Sequence, residues 1–119
     1  MENNFENYEK IYEKTKSAYQ ALKSHYEEAE SLIEYNQNPN IYIPLIKKTI
    51  KSVECRSKTL NLAYNNIIEN FSNLDAFTKQ ITSKKLITKT YHTLNSKICT
   101  LLNNSKKLLE EYNSAITLN

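Results

Sequence analysis

The chain has 119 residues, a net charge of +3 and no glycine. Its length suits one domain that can bury a core without disulfides or metal ions. Because phosphate-binding loops, dinucleotide fingerprints and nucleophile elbows need glycine where the backbone approaches a ligand, the composition argues against nucleotide-hydrolysing and nicotinamide-dependent enzymes.

The first third of the chain carries a seven-residue repeat. One row contains Phe5, Tyr12, Tyr19, Tyr26 and Ile33, and a second row, three places later, contains Tyr8, Thr15, Leu22 and Ala29. Such an a/d heptad predicts one long helix over residues 4–35 with a single buried seam. Each buried tyrosine needs water or a partner for its hydroxyl, which suits a helix on the flank of a small bundle.

A turn and a second heptad follow. The asparagines around Pro39 predict a turn over residues 36–40, because asparagine tolerates left-handed conformations and proline disfavours helix at the residue before it. Pro44 suits the first turn of a helix. The second helix is predicted over residues 42–72, and its seam contains Ile46, Ile50, Val53, Ser57, Leu60, Tyr64, Ile67 and Phe71.

The last part of the chain predicts a short helix and a long one. Asp75 and Ser83 can each serve as an N-cap, so we expect a short helix near residues 75–82 and a third long helix over residues 84–116. The third seam contains Ile87, Tyr91, Leu94, Ile98, Leu101, Ser105, Leu108, Tyr112 and Ala115. We therefore predict one all-α domain over residues 1–119, an antiparallel three-helix bundle with up-down-up topology and a short extra helix.

The three seams also predict the core. We expect these residues to be mostly buried: Tyr12, Tyr19, Leu22, Tyr26, Ile50, Val53, Leu60, Tyr64, Ile67, Leu94, Ile98, Leu101 and Leu108.

The histidines and cysteines do not form a recognisable chemical site. His25, Cys55, His92 and Cys99 lack the spacing of zinc ligands, and no glycine-supported oxyanion loop accompanies them. We expect a non-catalytic protein with reduced thiols, no metal and no cofactor. No apolar run reaches the roughly 18 residues of a membrane span, and the first residues do not resemble a signal peptide, so a cytoplasmic location is expected.

Charge is unevenly divided along the chain. Residues 1–36 hold eight acids and four lysines, a balance of −4, whereas residues 37–119 hold twelve Lys/Arg and five acids, a balance of +7. The basic half is a candidate surface for phosphates or anionic lipid. A nucleic-acid site is not favoured, because the chain has one arginine and its lysines are not interleaved with aromatic residues.

Apolar residues outside the seams suggest a partner surface. They are Leu62, Ile68, Leu102 and Leu109, and nearby lysines at Lys47, Lys48 and Lys51 supply positive charge. One hypothesis is that they line a groove on the faces of the second and third long helices that the first helix leaves uncovered. The alternative is that the four apolar residues simply widen the core.

Several strings resemble a known family. FENYEKIYEK at residues 5–14 and SAYQALKSHYEE at residues 17–28 are similar to the first helix of the syntaxin-6 class of SNARE proteins. IKSVEC at residues 50–55 resembles that family's second-helix segment, and KKLITKT at residues 84–90 resembles the basic-apolar opening of its third helix. The resemblance covers the order and lengths of all three helices.

The resemblance implies the N-terminal regulatory domain of a Golgi or endosomal SNARE. Such a domain binds tethering factors on the cytosolic face of these membranes, and a SNARE motif and a membrane anchor would be expected after it. Its partner would be a tethering complex or another SNARE. The alternative hypothesis is a stand-alone helical binding or inhibitor protein, viral, plasmid-borne or microbial, with an unnamed protein target.

Overall fold

The computed structural model describes residues 4–118, with side chains described for residues 4–112. This part of the chain is all-helical, as predicted, and contains no strand. A 3₁₀ turn at Phe71–Asn73 separates the second and third helices. The helices are α1 at Asn4–Glu34, α2 at Ile43–Glu69, α3 at Ala76–Ile81 and α4 at Lys84–Leu118.

The end of α1 is closed by an asparagine. Asn36 has a φ of 58°, in the left-handed region that asparagine tolerates better than most residues. Its N–H donates to Ile33 O at 3.1 Å, and Gln37 N–H donates to Leu32 O at 2.7 Å. This pair of hydrogen bonds is a Schellman motif, in which Asn36 takes the position usually held by glycine.

Both predicted N-caps are present. Asp75 Oδ1 accepts a hydrogen bond from Thr78 N at 2.7 Å, and Ser83 Oγ accepts one from Leu86 N at 3.1 Å. These side chains satisfy backbone donors that the first turns of α3 and α4 leave without helical partners. Pro44 is the second residue of α2, where its missing N–H costs no helical hydrogen bond.

The core follows the three predicted seams, with one systematic difference. Nine of the thirteen predicted core residues are buried, whereas Tyr12, Tyr19, Tyr26 and Tyr64 are half-buried against the edge of the core. A tyrosine at the edge buries its ring and keeps its hydroxyl near water. Ile33, predicted as the last member of the first seam, is exposed.

Helix α1 lies closest to α2. The row that faces α2 contains the small residues Thr15 and Ala29, both fully buried, which let the two backbones approach. The Thr15 hydroxyl donates to Ile11 O at 2.7 Å and lies 3.3 Å from Arg56 O in α2. Small side chains at Thr15 and Ala29 therefore flank Leu22, the fully buried leucine of the same row.

Polar contacts join α4 to α2. Asn61 Nδ2 donates to the Tyr91 hydroxyl at 2.6 Å, and Lys106 Nζ lies 3.1 Å from Glu54 Oε2. The rings of Tyr64 and Tyr91 stack with centroids 4.0 Å apart and planes within 7°. These contacts join the middle and the last turns of α2 to α4, in a body measuring 62 × 23 × 20 Å.

Candidate functional site

Two adjoining surface cavities lie between α1 and α4, and two others, of about 410 and 400 Å³, lie between α1 and α2. A cavity of about 450 Å³ runs along the last turns of the two helices, and a neighbouring cavity of about 340 Å³ continues it toward their middle. Both cavities are lined by Tyr26 and Asn104, so they form one open channel, which we call the α1/α4 groove. It extends from Tyr19 and Lys97 at one end to Ile33 and Tyr112 at the other.

The α1 wall of the groove is built on tyrosines spaced seven residues apart. Tyr19 and Tyr26 line the groove directly, and Tyr12 lies one repeat earlier beside a smaller cavity. We call Tyr12, Tyr19 and Tyr26 the tyrosine row. Its members are half-buried. Seven residues are nearly two helical turns, so all three rings project from the same side of α1.

The tyrosine hydroxyls lie in a partly dehydrated environment. The Tyr26 hydroxyl donates to Glu30 Oε2 at 2.8 Å. Burial, then the hydrogen bond to Glu30 and the charges of Glu30 and Glu111, raise the pKa of Tyr26 to about 12. Burial, followed by the charge of Glu13, also raises the pKa of Tyr12. The Tyr12 and Tyr26 phenols are therefore neutral hydrogen-bonding groups at physiological pH.

The opposite wall is apolar at its base and charged at its rim. Leu101 and Leu108 of α4 form the base and are buried. The α4 rim carries Lys97 and Lys107 together with Glu111, while Glu27, Glu30 and Lys23 stand on the α1 rim. The two rims thus differ in net charge, with α1 more acidic and α4 more basic.

A smaller cavity of about 180 Å³ lies between the first turns of α1 and α4. Phe5, Tyr8, Leu86 and Ile87 line it. The Tyr8 hydroxyl is buried and has no hydrogen-bond partner among the described residues. Burial, followed by the nearby tyrosines Tyr12, Tyr64 and Tyr91, raises the pKa of Tyr8.

The structure separates the residues predicted to bind a partner. Ile68, Leu102 and Leu109 are half-buried and pack against the core, in the way that the core-widening alternative describes. Leu62 is 72% exposed on α2 and stands apart from them. The three lysines of this predicted surface, Lys47, Lys48 and Lys51, are exposed on the first turns of α2. Partner binding at these seven positions stays a prediction.

The histidines and cysteines are dispersed. His25 lies beside the ring of Tyr42, whereas His92 makes edge-on contacts with Tyr64 and Tyr91. The thiols of both cysteines, at positions 55 and 99, are free and exposed. Among the described residues, no three His, Cys, Asp or Glu side chains form a group that can hold a metal ion. In the same part of the chain, every helix is too short or too polar to cross a bilayer.

Sequence reasoning did not locate the α1/α4 groove. A heptad repeat marks the side of a helix that faces its neighbours, but it does not distinguish residues between two helices from residues at the edge of one. The sequence contained one chemical indication of the groove, the hydroxyls of the tyrosine row. A row of tyrosines, each with a hydroxyl to satisfy, is better suited to an edge than the Thr15, Leu22 and Ala29 row.

Comparisons of the chain with protein-family models, curated proteins and solved structures found no match.

Proposed function

We propose that this chain is a non-catalytic protein-interaction module that binds an amphipathic α-helix of a partner protein in the α1/α4 groove. The observation that carries the proposal is that Tyr19 and Tyr26 of the tyrosine row, both half-buried, line an open groove. The buried leucines Leu101 and Leu108 line its opposite side. Aromatic residues are enriched in protein interfaces, where they supply a large contact area and a hydrogen-bonding group.

The dimensions of the groove suit a helix. From Tyr19 to Ile33 the α1 wall contains fifteen residues and is about 21 Å long at the rise of an α-helix, which matches about four turns of a partner. A helix bound in a groove presents anchors every three to four residues. Rings repeated every seven residues provide matching positions for every second turn of such a helix.

The charges of the rims define the partner further. Glu27 and Glu30 on the α1 rim favour basic residues along one flank of the bound helix, and Lys97 and Lys107 on the α4 rim favour acidic residues along the other. Complementary rims orient a bound helix and reject partners of the wrong charge pattern. The proposed ligand is therefore a helix with an apolar stripe between flanks of opposite charge.

An up-down-up, antiparallel bundle of α1, α2 and α4 is the proposed framework for this site. The contacts of Thr15 with Arg56 and of His25 with Tyr42 support opposite directions for α1 and α2. The pairing of Tyr64 with Tyr91 and of Glu54 with Lys106 supports opposite directions for α2 and α4. The α1 and α4 helices then run side by side in the same direction and border the groove.

The more specific proposal follows from the sequence resemblance. The chain would act as the N-terminal domain of a SNARE of the syntaxin-6 class, on the cytosolic face of Golgi or endosomal membranes, and the bound helix would belong to a tethering factor or a SNARE. The three long helices and the absence of a metal-binding group among the described residues are compatible with this role.

Site-specific photo-crosslinking tests the proposal. A benzophenone amino acid replaces Tyr26 in the groove and, as a matched control, Tyr35, which is 71% exposed beyond the end of α1. In cells of the native host, we expect the Tyr26 probe to crosslink a partner through a helical segment, and the Tyr35 probe not to crosslink it. A subunit of a tethering complex would support the SNARE assignment, and an unrelated helical target would support a stand-alone binder.

The same experiment can contradict the proposal. Equal crosslinking from Tyr26 and Tyr35 would place the contact outside the groove. Crosslinking through a strand or a loop of the partner would contradict a helical ligand.

A further inference from the structure

Three large apolar side chains are exposed where α3 meets α4. Phe77 is 69% exposed, Ile81 is 55% exposed and Leu86 is 48% exposed. They fall within ten residues of sequence. Phe77 and Ile81 are four residues apart and therefore share one face of α3. Several exposed apolar side chains close together in the chain indicate an interaction surface more strongly than an isolated one such as Leu62.

The orientation of these side chains is set by contacts on the other side of α3. Thr78 is buried, and its N–H donates to the capping carboxylate of Asp75. Lys79 Nζ donates to Ser72 O at 2.7 Å. With Thr78 directed into the core and the cap holding the first turn, Phe77 and Ile81 are directed toward solvent.

The surrounding segment is strongly basic. Residues 76–109 contain seven lysines and no acid. Lys84, Lys85 and Lys89 lie in the first two turns of α4, next to Leu86, and all three are exposed. Glu9 and Glu13 of α1 line the same small cavity as Leu86, on the inner side of this corner. The outer side of this corner therefore combines apolar tips with positive charge.

We propose that the corner formed by Phe77, Ile81, Lys84, Lys85, Leu86 and Lys89 is a peripheral docking surface for an anionic lipid bilayer. Phenylalanine and aliphatic side chains enter the boundary between headgroups and acyl chains, while lysines contact the anionic headgroups. Phe77 and Ile81 are largely exposed, so their side chains project into solvent. A bilayer can accept such projecting side chains without a preformed complementary pocket.

This docking surface is independent of the α1/α4 groove. It lies at the first turns of α4, whereas the groove lies along its middle and last turns. In a body 62 Å long, a lipid surface at one end leaves the other end accessible to a partner helix. The two proposals can therefore be tested, and can fail, separately.

Vesicle flotation of the purified full chain tests the docking surface. The probes are phosphatidylcholine vesicles and the same vesicles with about a third phosphatidylserine. We expect binding to the anionic vesicles only, and weaker binding as salt rises. The double variants Phe77→Ser/Ile81→Ser and Lys84→Glu/Lys85→Glu should each weaken this binding about tenfold or more.

Matched controls use equally exposed residues elsewhere. Leu62→Ser removes an exposed apolar side chain of α2, and Lys47→Glu/Lys48→Glu reverses two exposed lysines of α2. Both should keep parental vesicle binding, as should the groove variant Tyr26→Ala. Circular dichroism should show the parental helix content for the corner variants and the two α2 controls, because the replaced side chains are exposed.

Three results would overturn the proposal. The first is no binding to anionic vesicles. The second is an equal loss of binding in the Leu62→Ser or Lys47→Glu/Lys48→Glu controls. The third is retention on heparin that depends on Lys84 and Lys85 without any vesicle binding, which would assign the corner to a soluble polyanion or an acidic protein.

Discussion

The Thr15 hydroxyl of α1 lies 3.3 Å from the carbonyl oxygen of Arg56 in α2. Thr15 is fully buried between the two helices that approach each other most closely. At such a position the size of the side chain matters more than its hydrogen bond, because the hydroxyl also bonds Ile11 O in its own helix.

Two substitutions at Thr15 separate size from hydrogen bonding. Thr15→Val keeps the shape and removes the hydroxyl, which should cost at most about 1 kcal/mol of unfolding free energy. Thr15→Leu should cost about 1–3 kcal/mol, because the larger side chain forces α1 away from α2. Urea unfolding measures both values. Equal stability of the two variants would show that the helices are not closely packed at this point.

Leu60 and Leu62 provide a matched pair two residues apart on α2. Leu60 is buried in the core, whereas Leu62 points to solvent. Leu60→Ala should therefore cost about 2–5 kcal/mol, and Leu62→Ala should change the stability by less than about 0.5 kcal/mol. Denaturant midpoints test the difference. A large loss from Leu62→Ala would mean that this side chain belongs to the core after all.

Ser105 occupies a core position of α4 that lacks a polar partner. Its hydroxyl is fully buried, with no hydrogen bond to any described residue. Ser105→Ala should stabilise the protein, because it removes the desolvation cost and adds helix propensity. The exposed Ser96→Ala is the control for propensity alone. We expect Ser105→Ala to raise the free energy of unfolding by about 1 kcal/mol more than Ser96→Ala does. A larger gain from Ser96→Ala would be inconsistent with an unpartnered hydroxyl at Ser105.

Alkaline pH should destabilise the fold through its buried phenols. Burial raises the pKa of Tyr8, Tyr12 and Tyr26 above the ordinary value near 10. A group with a raised pKa in the folded state contributes stability that is fully present below pH 10. That contribution is lost as the pH rises toward the folded pKa, about 12 for Tyr26, because the unfolded chain ionises first.

Tyr8→Phe isolates the deepest of these phenols. The free energy of unfolding of the parent should fall between pH 9 and pH 11 more steeply than that of Tyr8→Phe. The difference in slope should be at most about 1.4 kcal/mol per pH unit, the limit for one titrating group. Urea unfolding at the two pH values measures it. Identical slopes for parent and variant would indicate that the Tyr8 phenol ionises as readily in the folded protein as in the unfolded chain.

The helical class, the turn after α1 and the caps of α3 and α4 could be predicted because local chemistry determines them. The end of α2 was predicted at residue 72, whereas the helix ends at Glu69. Asp75 and Ser83 can cap a helix wherever they precede one, and asparagine at position 36 tolerates the left-handed turn. Buried seam residues such as Leu60 and Ile98 were also predictable, because a periodic apolar side chain on a long helix has little alternative to the core.

The groove and the apolar corner could not be predicted in the same way. The distance between α1 and α4 depends on how closely Thr15 and Ala29 let α1 approach α2, which is a property of three helices together. The outward direction of Phe77 and Ile81 depends on Thr78 entering the core, and a helix of six residues is too short to show a period. Both features arise from tertiary packing.

The proposed function requires a partner helix to bind against the tyrosine row. Calorimetric titration with the helix identified by crosslinking measures this binding, comparing the parent with Tyr26→Ala and with Tyr35→Ala. We expect Tyr26→Ala to weaken the affinity about 30-fold, the loss of about 2 kcal/mol typical of an interface anchor. Tyr35→Ala should keep the parental affinity. Unchanged affinity for folded Tyr26→Ala, or an equal loss for Tyr35→Ala, would contradict the assignment of the α1/α4 groove as the binding site.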